Sequence, residues 1–108
     1  MAERSGYMTQ YGRPVYKTGD GSYYSEISRT IVTPEGLVYN VPTVLGDGYV
    51  LPDDLSDDEL IYMYEQWGWK DPVTSAPLRA FESLQDAEKA AKERSDNMRY
   101  IPENKGGR

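Results

Sequence analysis

Five carboxylates crowd into the stretch Asp53, Asp54, Asp57, Asp58 and Glu59. Several carboxylates together suit a hard cation such as Ca²⁺ or Mg²⁺, and a pair of them in a cleft can perform acid–base work on a glycosidic bond. The spacing speaks against the cation, because no glycine stands between alternating ligands as in a calcium-binding loop. A glycosidase needs a cleft, and two short helices promise little of one. Ser56 followed by Glu59 has a simpler use: this pair makes a capping box, and acids in a first helical turn meet the positive end of the dipole. What remains for Asp53, Asp54, Asp57 and Asp58 is contact with a basic protein surface.

The chain contains neither cysteine nor histidine. A disulfide framework, a Cys/His zinc site, a thiol nucleophile and a Ser-His-Asp triad are thereby excluded. Ser25, Ser28 and Ser83 have no base partner at a recognisable spacing, and Ser83 is better used as a helix cap. Glycines 19, 21, 46 and 48 match no phosphate-binding pattern and read as turn residues. The reading is a non-enzyme with no cofactor and no metal.

Tyrosine is in surplus: 10 Tyr against one Phe. A ring with a polar tip is favoured where a surface meets another molecule. Tyr7, Tyr11 and Tyr16 stand in a segment with few aliphatic residues and are taken as partner-binding. Trp69, just past a helix end, joins them, whereas Trp67 falls on an apolar stripe and reads as core.

The 108 residues carry a net charge of −6, and 38% are hydrophobic, which suits one small globular domain. The excess charge has one source, since residues 34–67 hold eight acids and no base. A segment of one sign repels phosphate and steers basic partners, so direct nucleic-acid binding is not expected. No apolar run approaches the ~20 residues of a membrane span, and no secretory signal pattern opens the chain, which points to synthesis in a cytoplasm.

These residues need elements to carry them. Residues 1–24, rich in Gly, Ser and Tyr, read as an extended N-terminal arm with a short strand at Pro14–Lys17 and a turn at Thr18–Gly21. A compact domain follows at 25–99, then a frayed tail at 100–108. Alternation predicts a strand at Ile27–Thr33 with Ile27 and Ile31 on one face. A Pro-Glu-Gly turn precedes a second strand at Leu37–Val44, with Leu37, Tyr39 and Val41 on one face. A third strand is expected at Tyr49–Leu51 and a brief pairing at Leu78–Phe81. Helical spacing places Leu60, Ile61, Tyr64 and Trp67 behind the Ser56 cap, with Gly68 as terminator. Ser83 opens a second helix to about Met98, with Leu84, Ala87, Ala91 and Met98 as its stripe. The fold class is α+β: a small antiparallel hairpin or meander packed against two α-helices.

The order of these pieces carries a resemblance. Ser25-Glu26-Ile27-Ser28 with Thr30-Ile31 precedes Tyr39-Asn40-Val41-Pro42-Thr43-Val44 and Gly46-Asp47-Gly48. Leu55-Ser56-Asp57-Asp58-Glu59-Leu60 with Tyr64 and Gly68 comes next, then Arg79-Ala80-Phe81-Glu82-Ser83 with Ala87-Glu88, Ala91 and Arg94-Ser95. Over residues 22–98 this resembles a small module of tailed-bacteriophage proteins, found alone or attached to larger virion and ejected proteins. Leu60 stands where the module usually has Ala, and residues 1–21 lie outside the pattern. The resemblance implies a phage setting, often virion-associated, and carries no catalytic residues. The first expectation is a virion structural protein that docks onto capsid, portal, tail or ejected-core proteins, its arm ordering on contact. The second is a phage-encoded inhibitor that meets a host protein's basic surface through the acidic face. Tyrosine-rich edges leave self-pairing into a homo-oligomer open.

Overall fold

The computed structural model describes residues 3–103. Along the chain run β1 (Glu3–Thr9), β2 (Pro14–Lys17), β3 (Tyr23–Tyr24), β4 (Ser28–Val32), β5 (Val38–Pro42), α1 (Asp57–Gln66), α2 (Leu84–Asp96) and β6 (Tyr100–Pro102). The strands form two antiparallel sheets, β4-β5 and β3-β2-β1-β6, so the α+β class stands. No helix among the described residues is long and apolar enough to cross a membrane.

The β4–β5 hairpin is in register from Ser28↔Pro42 to Val32↔Val38. Its turn closes through Gly36 N–H donating to the Thr33 carbonyl at 2.9 Å, with Gly36 at φ +89, a conformation glycine adopts without steric cost. Side chains alternate across the hairpin, and here both faces are covered. Ile31 and Val41 pack with Leu51 and with Leu60, Ile61 and Tyr64 of α1. Val38 packs instead with Phe81 and Ala87 of α2, and Asn40 donates to the Ala87 carbonyl at 2.8 Å. Ile27 and Leu37, expected on the core face, are exposed because each lies one residue outside the paired segment. The expected pairing at Leu78–Phe81 narrows to Phe81, which exchanges backbone hydrogen bonds of 2.9 and 2.7 Å with Val38. The expected third strand is a single bridge, Val44↔Val50.

Both helices start where capping predicts. Ser56 Oγ accepts from Glu59 N–H at 3.1 Å and Glu59 Oε1 accepts from Ser56 N–H at 2.8 Å. Ser83 Oγ accepts from Asp86 N–H at 3.1 Å. Trp67 closes α1, followed by Gly68 at φ +72. On α2 only Ala87 is fully buried, and Leu84 is exposed, because a hairpin seats closely only against small side chains.

Residues 3–24 overturn the extended arm. They form three strands of the four-stranded sheet, and β6 adds from the expected tail, pairing Tyr7↔Pro102 through Thr9↔Tyr100. Few aliphatic residues are needed here because only Val15 and Tyr16 are buried hydrophobics in this sheet. The strand predicted at Pro14–Lys17 is β2, and the predicted turn after it closes with Thr18 N–H donating to the Ser22 carbonyl at 2.8 Å. Residues 1–2 and 104–108 of the expected arm and tail lie outside the described residues.

Candidate functional site

Arg13 leaves the β1–β2 turn and runs inward until its side chain is 1% exposed. Each of its three nitrogens donates one hydrogen bond. Nη1 donates to Asp71 Oδ2 at 2.5 Å, Nη2 to the Val44 carbonyl, and Nε to the Ser25 carbonyl at 3.3 Å. Asp71 in turn accepts from the backbone N–H of Val73 at 2.8 Å. Glu26 lies 3.8 Å from Arg13 Nε and takes both arms of Arg94 at 2.6 and 3.0 Å. The Arg94 guanidinium sits 3.8 Å from the centroid of the Tyr11 ring. Burial works against the Arg94 charge, yet the Glu26 carboxylate holds its pKa above the ordinary value. This chain of charges joins the four-stranded sheet, the loop before β4, the 69–80 loop and α2.

Beside the clamp opens a cleft of about 1080 Å³. Tyr11, Tyr23, Tyr24 and Tyr100 line it from the sheet, Arg94 from α2 and Met98 from just past the helix end. Tyr23 and Tyr100 are 48% and 42% exposed, while the Tyr24 hydroxyl donates to the Gly48 carbonyl at 2.6 Å and fixes its ring. The polar groups nearest are already engaged: Ser25 Oγ donates to Met98 Sδ at 3.3 Å, and Asp71 and Glu26 hold arginines. No group of three or more Asp or Glu among the described residues could hold a metal ion. What the cleft presents is aromatic surface with a guanidinium, a composition suited to gripping another chain.

The partner-binding residues expected from sequence fall in different places. Tyr7 is exposed on β1, and Tyr11 lines the cleft. Tyr16 corrects the expectation: it is 2% exposed, its hydroxyl donates to the Gly46 carbonyl, and burial pushes its phenol pKa up. The reason lies at Gly48, where a Cβ would stand 2.9 Å from the Tyr16 ring, so the ring fills the space glycine leaves. Asp53, Asp54, Asp57 and Asp58 are exposed around the start of α1, and Asp57 is bound by Arg29 at 2.6 Å. Trp69 is half-buried, stacked on Tyr39 at 4.2 Å, far from standing free of the core. Trp67 packs edge-on against Tyr64, as its place on the stripe implies.

Sequence reasoning missed Arg13, Glu26, Asp71 and Arg94 as a unit, and Tyr23, Tyr24 and Tyr100 as cleft residues. Nothing local marks the first four, which are brought together from four separate segments. The tyrosine surplus was the available signal for the others. No known family model, curated protein or solved structure matches the chain.

Proposed function

We propose that the chain is a non-enzymatic docking protein of a tailed-bacteriophage particle, made in the host cytoplasm and carried in the virion. It binds a segment of a larger particle protein, such as capsid, portal, tail or ejected core, in the tyrosine-lined cleft. The observation that carries this reading is the cleft itself: Tyr11, Tyr23, Tyr24 and Tyr100 around one opening, beside a guanidinium. Aromatic and arginine side chains of this kind dominate the energetics of protein contacts. The resemblance over residues 22–98 supplies the phage setting.

The sheet alters how docking works. A disordered arm would have to order on contact, whereas strands already paired and clamped present their tyrosines with little further loss of entropy. The test is mass spectrometry of gradient-purified particles from the phage that encodes the chain, with wild type against Tyr23→Ala/Tyr100→Ala. Wild type is expected at a stoichiometry comparable to a known structural protein, and the double variant is expected to be depleted at least tenfold while remaining folded. Absence of the wild-type chain from particles overturns the reading.

A further inference from the structure

Helix α1 turns Leu60, Ile61 and Tyr64 into the core and leaves a second face outside. In the middle of that face stands Tyr62, 65% exposed, more than any other large hydrophobic side chain among the described residues. Helical spacing sets Asp58 and Glu59 one turn before it and Glu65 one turn after, so three carboxylates share its neighbourhood. Leu55, Asp58, Glu59, Tyr62 and Met63 line a shallow groove of about 370 Å³. The helix holds no lysine or arginine, and Arg29, the cation that reaches its start, is engaged by Asp57 and the Leu55 carbonyl.

An exposed ring framed by carboxylates attracts a guanidinium or ammonium over its face. The leucine and the adaptable thioether beside it suit an aliphatic side chain. We propose that the outer face of α1 is a docking site for a basic amphipathic segment of a partner protein. That segment lays an Arg or Lys over Tyr62, between Asp58, Glu59 and Glu65, and an aliphatic residue against Leu55 and Met63. Charge selects the occupant. Residues 34–67 carry eight acids and no base, so a second copy of this face or a nucleic-acid phosphate meets repulsion. The groove is lined by none of the residues of the tyrosine-lined cleft, and the proposal does not depend on a phage particle.

The test titrates the full-length protein with a synthetic peptide of about 14 residues, roughly four helical turns, with leucines on one face and arginines on the other. Binding is followed by backbone amide shifts. Shifts are expected at residues 55–66. Tyr62→Ala should weaken binding about tenfold, the scale of a partly desolvated cation–π contact, while Tyr62→Phe, which keeps the ring, binds as wild type. Asp58→Asn with Glu65→Gln should weaken binding and flatten its salt dependence. A control peptide with serine in place of leucine should bind about tenfold more weakly, having lost its apolar contacts. Tyr62 is exposed and Asp58 and Glu65 take no part in the Ser56–Glu59 cap, so the variants keep the fold, which circular dichroism checks. Shifts confined to the cleft, affinity indifferent to Tyr62→Ala, equal affinity for the serine peptide, or no binding would each overturn the proposal.

Discussion

Between residues 28 and 96 the hairpin is gripped by apolar side chains on both faces, Ile31 and Val41 towards α1 and Val38 towards α2. The four-stranded sheet has no such core of its own. Its attachment is polar: Arg13 to Asp71 and two carbonyls, Tyr16 to Gly46 and Tyr24 to Gly48. Apolar burial is non-directional and tolerates adjustment, whereas a buried guanidinium depends on every partner being in place. The hairpin unit should therefore yield gradually to substitution, and the sheet all at once.

Arg13→Ala attacks that difference most directly. It leaves Asp71 buried without its cation, which typically costs about 3–5 kcal/mol. Urea unfolding should show the loss, and amide exchange should rise first in β1, β2 and β3 while the hairpin and α1 keep more protection. Equal acceleration everywhere would mean that the two regions form one cooperative unit and the contrast is wrong.

Tyr64→Phe probes the apolar side. The Tyr64 hydroxyl donates to the Pro42 carbonyl at 2.5 Å in the core against α1. Its removal should cost about 1–2 kcal/mol, with no selective loss of the sheet. Burial, with Asp71 nearby, raises the Tyr64 pKa. A raised value in the folded state means stability that is full below the ordinary tyrosine value of 10.0 and lost as pH climbs past it. The variant should accordingly lack part of the alkaline decline that thermal melts show for wild type.

The smallest effect belongs to the surface cap. Hydrogen bonds from Ser56 lower the Glu59 pKa below its ordinary 4.5. A lowered value means that stability is present above 4.5 and lost as pH falls through the folded-state value. Glu59→Gln should flatten the acid flank of the stability profile slightly and leave neutral stability almost unchanged. A steep flank that persists unaltered in the variant would assign acid sensitivity elsewhere.

Legibility followed the range of the interactions. The Ser56–Glu59 capping box, the Ser83 cap, Gly68, the Pro-Glu-Gly turn and the Ile31–Val41 face of the hairpin are written in residues a few positions apart, because helix caps, turn dihedrals and side-chain alternation are local sterics and hydrogen bonding. Those features were readable, and they hold within a residue or two. The acidic stretch was equally readable as charge, though not its outward face around Tyr62, which required knowing that Leu60, Ile61 and Tyr64 point inward. Residues 1–24 misled because their strands carry few aliphatic residues and, beyond the local β1–β2 and β2–β3 pairings, depend on distant partners, with Arg4 meeting Glu103 across 99 positions. Composition cannot announce that a Gly- and Ser-rich strand will find a partner at the other end. By itself the sequence determined the central hairpin, the two helices and β2, the absence of Cys and His chemistry and where the charge lies. Which tyrosines face a cleft, and that an arginine in a turn becomes the buried peg of the fold, was decided only when two distant backbone carbonyls and the Asp71 carboxylate converged on its guanidinium.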